Sequence, residues 1–284
     1  MLPPKRILFP VDYSEPCQGI VPYVADFLER FPADLTLLHA YGSAIASDGM
    51  PVLDPSLVAD LRAVEEQRLA AFAASAFPGR KVCTTTRMAA AETAVHDLLK
   101  RDGTDLIMLA THGHGPVRKF LLGSVAAKIL HDVDCAVWVA PAASLAGTAP
   151  HIPGKNVLCA VDGEEAPAVL HAGSLIARAW GAELSLVHVV ETPVAALEVD
   201  YAPFRDELLK SAEVRMRGLK ASAHLDIPHS ILEGGVTYNI REEALRRKAD
   251  LIVTGRGRIQ GTLGRFWAHL YDIVHSAPCP VLSL

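Results

Sequence analysis

The sequence contains one long internal repeat: segments of the first half recur in the same order in the second half. The residues Lys5–Asp12 (KRILFPVD) recur as Lys155–Asp162 (KNVLCAVD), at an offset of 150. The residues Ala33–His39 (ADLTLLH) recur as Ala182–His188 (AELSLVH), at an offset of 149. Solenoid repeats have periods of about 20–50 residues, so a period this long indicates two copies of a whole domain.

The repeat continues to the end of each copy with an offset that falls slowly. Asp105–Met108 recurs as Asp250–Val253 at an offset of 145, as expected if loop lengths changed after a duplication. Between the copies, residues 142–153 are small, contain proline and show no hydrophobic period, which is typical of a linker. We therefore expect a first domain over 1–141, a linker over 142–153 and a second domain over 154–284.

Each copy alternates short apolar runs with segments of helical period, and this alternation predicts the fold class. In the first copy the apolar runs are 6–11, 35–41, 81–87, 106–110 and 135–140. The predicted core face of the first helical segment is Ile20, Tyr23, Val24, Phe27 and Leu28, and that of the longest is Leu57, Leu61, Val64, Leu69 and Phe72. Strands that alternate with helices predict an α/β domain with a parallel sheet and helices on both faces. Ligands of such sheets bind beyond the carboxyl ends of the strands.

The last strand–loop–helix of the first copy has the composition of a phosphate-binding site. The buried strand 106–110 is followed by a basic loop with two glycines, and then by Gly123, Ser124 and a helix. We expect Ser124 to be the N-cap residue of this helix. Glycines let main-chain N–H groups approach a ligand, and a helix N-terminus favours an anion.

This segment resembles the nucleotide-binding end of the universal stress protein family. In that family three glycines, separated by two and then nine residues, precede a serine or threonine. Here Gly113 and Gly123 match the second and third glycines and Ser124 follows, whereas Ala110 stands in place of the first glycine. The resemblance implies two tandem doubly wound domains, each an open five-stranded parallel sheet with strand order 3-2-1-4-5. It also implies that Asp12 lies beside the turn that follows the fourth strand.

The resemblance further implies an adenine-nucleotide site, for ATP or a relative with or without Mg²⁺, in the first half. Asp12 would contact the adenosine, Ala40 would line the base pocket, and the glycine loop with the helix start would hold the phosphates. The site residues expected on this basis are Pro10, Asp12, Ala40, Leu109, Ala110, Gly113, Arg118, Lys119, Gly123, Ser124 and Val125.

The second half keeps only part of this pattern. Asp162 remains, and Gly255 can stand for the first glycine, but Trp267 and Ala268 occupy the places of Gly123 and Ser124. A tryptophan there would fill the phosphate position, so we expect no nucleotide in the second half.

Three other functions remain as alternatives. His39, His112 and His114 follow neighbouring strands and could bind zinc together with Asp12. A slow ATPase is the enzymatic alternative, but no general base is evident beside the expected phosphates. A member of the fold with a non-nucleotide ligand is the third alternative. We favour a regulatory nucleotide-binding module, a small-molecule binder rather than an enzyme.

Composition excludes several partners. The net charge is −5 with no long run of one sign, which argues against a nucleic-acid partner. No apolar run approaches about 18 residues, so no membrane span is expected. The five cysteines form no C-x-x-C pair, and the start lacks the pattern of a signal peptide, so we expect a cytoplasmic protein.

The resemblance also implies an association between the two copies. In the family, the last strands of two domains pair across a two-fold axis, and here those strands are Cys135–Ala140 and Cys279–Leu284. We therefore expect a pseudo-dimer within one chain, since each of these strands would otherwise be an exposed edge. A further homodimer of whole chains stays open, and the sequence does not name a protein partner.

Overall fold

The protein divides into two compact units, residues 1–150 and residues 151–284. The computed structural model describes residues 2–42, 54–111, 123–141, 145, 154–191, 202–256 and 263–284, with the backbone alone at 202–204 and 263–268. We call the two units the first domain and the second domain.

The first domain is a five-stranded parallel sheet with helices between its strands. In chain order its elements are β1 (Arg6–Pro10), α1 (Glu15–Gly19), α2 (Val21–Arg30), β2 (Asp34–Tyr41), α3 (Pro55–Ala76), β3 (Val82–Met88), α4 (Ala91–Asp102), β4 (Leu106–Ala110), α5 (Ser124–Asp132) and β5 (Ala136–Ala140). The strand order is β3-β2-β1-β4-β5, with every pair parallel. The order switches between β1 and β4, so their carboxyl ends form the crevice where a ligand would bind.

The second domain repeats this arrangement. Its elements are β6 (Asn156–Ala160), α6 (Ala166–Trp180), β7 (Glu183–Val190), α7 (Ala202–Ser222), β8 (His229–Glu233), α8 (Val236–Arg247), β9 (Leu251–Thr254), α9 (Leu263–Ser276) and β10 (Val281–Ser283). A single 3-10 turn, Gly163–Glu165, precedes α6. The strand order is β8-β7-β6-β9-β10, again parallel throughout. The predicted fold class, two tandem doubly wound domains with order 3-2-1-4-5, is confirmed.

A carboxylate at the start of the fourth strand explains why Asp-Leu-Ile is part of the repeat. In the first domain, Oδ2 of Asp105 accepts hydrogen bonds from the main-chain N–H groups of Lys5 (2.9 Å) and Arg6 (3.1 Å). In the second, Oδ2 of Asp250 does the same for Lys155 (2.9 Å) and Asn156 (3.0 Å). Each aspartate therefore ties the start of its strand to the start of the neighbouring central strand.

The predicted core face of the first helical segment is confirmed, because all five of its residues are buried. The segment is nevertheless two helices, with Ile20 between α1 and α2 and a proline in the first turn of each. The predicted core face of α3 is wrong in the first half of that helix, where Leu57 is 47% exposed and Val64 is 59% exposed. In its second half Leu69 is fully buried.

No helix in the described ranges combines the length and the apolar character that crossing a membrane requires.

Candidate functional site

The candidate site of the first domain begins at the turn that follows β1. Oδ1 of Asp12 accepts hydrogen bonds from the main-chain N–H (2.9 Å) and the hydroxyl (2.6 Å) of Ser14. Ser14 in turn caps α1, because its Oγ accepts from the N–H of Cys17 at 3.2 Å. Both hydrogen bonds from Ser14 use Oδ1 of Asp12. The turn therefore fixes the position of the carboxylate.

Tyr13, which was not among the predicted site residues, stands beside this turn. Its φ is 62°, a left-handed conformation that is uncommon for a residue with a side chain. Its ring contacts His39 (centroids 4.6 Å apart) and Phe72 (5.7 Å), and the guanidinium of Arg68 lies 4.1 Å from the ring centre. Burial, reinforced by the nearby carboxylate of Glu65 and opposed by Arg68, raises the pKa of Tyr13 to about 12. Tyr13 is therefore neutral at physiological pH. Its ring lines one side of the candidate site.

His39 forms the next part of the wall. Its Nδ1 lies 2.7 Å from the carbonyl oxygen of Val11, and its Nε2 lies 3.4 Å from Oε2 of Glu65. The main chain after β1 therefore holds one ring nitrogen, and the carboxylate of Glu65 on α3 lies near the other. Within the described ranges no three His, Cys, Asp or Glu side chains are grouped as metal ligands. The other two histidines of the zinc alternative, His112 and His114, lie outside the described residues.

The end of β4 and the start of α5 lie together. The N–H of Gly123 donates to the carbonyl oxygen of Thr111 at 2.7 Å, which closes the two ends of the intervening loop against each other. Gly123, with φ −59° and ψ 145°, is the N-cap, and Ser124 is the first helical residue. The prediction that Ser124 is the N-cap is therefore wrong by one position. Ser124 is exposed, and Gly123 supplies no side-chain cap, so the first N–H groups of α5 have no partner from their own N-cap side chain.

The remaining predicted residues divide into two groups. Pro10 ends β1, Ala40 lies one residue before the end of β2, Leu109 and Ala110 end β4, and Val125 lies in the first turn of α5. Because neighbouring parallel strands end at the same edge, the fold brings these residues to one edge of the sheet. Gly113, Arg118 and Lys119 lie outside the described residues.

The second domain has a histidine, His188, at the position equivalent to His39, but a different side chain lies next to it. Nδ1 of His188 lies 2.9 Å from the carbonyl oxygen of Val161, as His39 does with Val11. Its Nε2 faces the guanidinium of Arg215 at 3.3 Å, where His39 faces a carboxylate. Nε2 of this histidine therefore faces a carboxylate in the first domain and a guanidinium in the second.

A cavity of about 320 Å³ lies at the carboxyl ends of β6, β7 and β9 in the second domain. Its apolar lining comes from strand ends and from the helices behind them, and includes Val161, Val189, Ile240, Leu270 and Ile273. The lining also includes two histidines, His188 and His269, and six charged side chains: Asp162, Glu164, Glu165, Glu191, Arg215 and Arg256. The sequence did not predict this cavity.

Gly255, which the repeat aligns with Ala110, has a role that the sequence did not show. A Cβ built on Gly255 would overlap Oε2 of Glu165 and lie 2.9 Å from its Cδ. The carboxylate of Glu165 therefore rests on the bare main chain at the end of β9. In the first domain, Glu15 occupies the equivalent sequence position and is exposed, so the strand end there tolerates the methyl group of Ala110.

These features define a class of protein: a doubly wound α/β domain, present twice, whose strand order switches between its two central strands, where ligands of such sheets bind. The model of the universal stress protein family matches residues 3–141 and, a second time, residues 154–284. The chain therefore belongs to the universal stress protein family, as a tandem of two such domains.

The comparisons with known proteins agree with this assignment. The protein described as "Universal stress protein in QAH/OAS sulfhydrylase 3'region" of Thermus aquaticus is 35% identical over 138 residues, which cover 45% of this chain and 96% of that protein. A universal stress protein structure from Archaeoglobus fulgidus matches with a TM-score of 0.69 and 17% identity, over 98% of this chain and 95% of that chain. A putative universal stress protein from Pseudomonas aeruginosa matches with a TM-score of 0.65 and 18% identity, over 99% and 93%. At these identities the two structures show the fold alone.

Proposed function

We propose that this protein is an adenine-nucleotide-binding regulatory protein whose nucleotide site lies in the first domain. The observation that carries the proposal is the hydrogen bond between Gly123 and Thr111. It holds the open N-terminus of α5 at the end of β4, and β4 is the neighbour of β1, where Asp12 stands.

The phosphate end of the proposed site consists of main-chain groups and one hydroxyl. The first N–H groups of α5 have no partner within the helix, and the helix dipole gives this end a partial positive charge. Gly123 has no side chain to obstruct a phosphate, and the exposed Ser124 hydroxyl lies on the first turn. This combination of donors favours an anion without requiring a basic side chain.

The adenosine end is proposed to lie between Asp12 and Ala40. The Ser14 bonds fix the Asp12 carboxylate, which would accept a hydrogen bond from a ribose hydroxyl. Ala40 is small and half-buried near the end of β2. A hydrogen bond to a charged group contributes roughly 1.5–3 kcal/mol, so the Asp12 contact would account for a substantial part of adenosine affinity.

The side chains around the turn after β1 offer no evident general base beside the proposed phosphates, which favours regulation over catalysis. Tyr13 is neutral because its pKa is about 12, and Asp12 lies at the opposite end of the site from the proposed phosphates. A slow ATPase remains the alternative, and it makes a separate prediction. Phosphate release by the purified chain at subsaturating ATP would then exceed that of an Asp12→Ala variant, whereas a regulatory binder would release none.

Titration calorimetry with ATP tests the proposal. The full chain should bind one ATP, and Gly123→Trp should abolish binding because the indole would occupy the phosphate position. Gly235→Trp is a matched control, since Gly235 is also the N-cap of a helix, α8, and a Cβ there meets nothing within 4 Å. Two equivalent sites, or ATP binding that survives Gly123→Trp, would contradict the proposal.

Mass spectrometry of ligand released from the purified protein would identify the nucleotide and show whether Mg²⁺ accompanies it.

A cytoplasmic location is part of the proposal and is supported by the free thiols of all five cysteines. The pseudo-dimer stays a prediction. If the two domains, expressed separately, were stable monomers that do not associate when mixed, it would be wrong.

A further inference from the structure

The turn after the first strand carries an aromatic ring in the first domain and no side chain in the second. The repeat places Gly163 at the position of Tyr13, 150 residues further on. Both residues have a left-handed main chain, with φ 62° at Tyr13 and 53° at Gly163. The main chain at this turn is therefore alike in the two domains, and the difference between them is the ring.

The imidazole that the ring packs against is present in both domains. In the first domain the rings of Tyr13 and His39 have centroids 4.6 Å apart. In the second domain His188 stands at the position of His39, and its Nδ1 lies 2.9 Å from the carbonyl oxygen of Val161. The main chain therefore holds an imidazole at this place in each domain, and in the second domain no tyrosine covers it.

The helix behind the ring is also repeated, with a smaller side chain at one position. Arg68 and Phe72 of α3 both contact the Tyr13 ring and are four residues apart. Arg215 and Leu219 of α7 have the same spacing, 147 residues further on. In each helix the residue that follows the arginine is buried, which supports this alignment. The second domain thus has a leucine where the first has a phenylalanine, in addition to the missing tyrosine ring.

A cavity of about 300 Å³ lies where these positions meet in the second domain. Its lining includes Gly163, His188, Arg215 and Leu219, which are the counterparts of Tyr13 and of the three side chains that contact its ring. It shares part of its lining with the cavity of about 320 Å³ described above. We call the space of about 300 Å³ the ring cavity.

The walls of the ring cavity favour an aromatic ring over a saturated one. The guanidinium of Arg215 lies 3.3 Å from Nε2 of His188, so a cation and a flat ring stand together at this place. Aromatic rings pack on one another in offset or tilted arrangements, and their faces attract a guanidinium. The Tyr13 ring makes both kinds of contact in the first domain, with His39 and Arg68. A volume of about 300 Å³ is at the lower end of the range of small-molecule sites.

We propose that the ring cavity binds a small molecule through one uncharged six-membered aromatic ring, of the phenol or benzyl type. The ligand takes the place in the second domain that the Tyr13 side chain takes in the first. Binding there depends on the shape of the cavity and on ring contacts, and it is independent of the nucleotide site proposed for the first domain.

Two probes of the same size test the preference for an aromatic ring. p-Cresol is the side chain of tyrosine as a free molecule, and 4-methylcyclohexanol carries the same two groups on a saturated ring. Titration of the full chain, followed by calorimetry and by ligand NMR, should show p-cresol binding with millimolar affinity or tighter. 4-Methylcyclohexanol should bind about threefold more weakly or less, because it lacks the ring contacts. Equal affinity for the two probes, or no p-cresol binding at millimolar concentration, would overturn the proposal.

Two substitutions at Gly163 locate the site. Gly163→Tyr attaches a ring to the chain at this turn and should abolish p-cresol binding. Gly163→Ala is the matched control, because it introduces the strain of a left-handed side chain without a ring, and it should leave p-cresol affinity unchanged. The Gly163→Tyr chain should also melt no earlier than the Gly163→Ala chain, since the ring gains contacts in the cavity. Undiminished p-cresol binding by Gly163→Tyr, or equal loss of binding in both folded variants, would refute the assignment.

Tyr13→Gly is the reciprocal experiment in the first domain. It removes the ring from between His39 and Phe72, and it should add a second p-cresol site to the chain. A folded Tyr13→Gly chain that binds no more p-cresol than the wild type would show that the two positions are not equivalent and would overturn the proposal. The Gly163 variants decide the question even if the Tyr13→Gly chain does not fold.

Discussion

Ser124→Ala is the sharpest test of the proposed nucleotide site, because the structure separates its effect on binding from any effect on folding. Ser124 is the exposed first residue of α5, and no described residue hydrogen-bonds its hydroxyl. Alanine has the higher helix propensity, by a few tenths of a kcal/mol. The variant should therefore be as stable as the wild type or slightly more stable, and any lost affinity can be assigned to the ligand.

The expected magnitude follows from the charge of the partner. A hydrogen bond to a charged group contributes roughly 1.5–3 kcal/mol, and about 1.4 kcal/mol corresponds to a tenfold change in affinity. Ser124→Ala should weaken ATP binding by about tenfold or more. Adenosine, which has no phosphate, should bind with unchanged affinity.

The assay is calorimetry with ATP and with adenosine, beside a thermal melt of each variant. Ser14→Ala is the contrasting control, because its buried hydroxyl donates to Asp12 and also caps α1. Loss of an N-cap costs about 0.5–2 kcal/mol, so this variant should melt earlier and bind both ligands more weakly. The reasoning fails if Ser124→Ala weakens adenosine as much as ATP, or leaves ATP affinity unchanged. High salt should weaken ATP more than adenosine if Arg118 and Lys119 contribute, since exposed charges are screened.

Three further predictions concern the second domain. Asp250→Ala should lower its free energy of unfolding by about 3 kcal/mol in denaturant titrations, because two main-chain N–H groups lose a charged acceptor; a loss below about 1 kcal/mol would contradict this. Gly173→Ala should destabilise it by about 1–3 kcal/mol, since a Cβ there would overlap Sγ of Cys159, and Cys159→Ala should relieve part of that loss; strictly additive effects would exclude the clash. Burial opposes ionisation of Glu243, but the hydrogen bonds from arginine and serine neighbours outweigh it and lower its pKa to about 2. Its contribution is therefore fully present above pH about 4.5 and is lost as the pH falls towards 2, and Glu243→Gln should flatten that part of the stability profile. A wild-type profile with the same slope as the variant would refute the assignment.

The fold class and the duplication could both be predicted from the sequence. Both depend on patterns that are local or repeated: apolar runs of strand length, helical spacing between them, and Asp-Leu-Ile at the same point of each copy. Connections between parallel strands through a helix are almost always right-handed, which restricts the possible topologies. The resemblance to the family then predicted the strand order 3-2-1-4-5. The edge of the sheet that carries Asp12, Ala40 and Ala110 was predictable for the same reason.

Burial within a helix was predicted less well, because exposure depends on what lies opposite. The apolar spacing of α3 includes Leu57 and Val64, but both are exposed, whereas Leu69 is fully buried. The N-cap of α5 was predicted one position late. A glycine and a serine can both serve at that position, and only the dihedral angles of the chain distinguish them.

Tertiary structure alone decided the differences between the two sites. His39 and His188 occupy the same place in the repeat, but the helix that follows each strand brings Glu65 near one and Arg215 near the other. The sequence suggested that Gly255 is a remnant of a phosphate loop. In the fold, the carboxylate of Glu165, a residue distant in sequence, packs against the main chain of Gly255. Sequence patterns report which side chains recur. Contacts between distant residues, and the charge they leave in a cavity, exist only once the chain has folded.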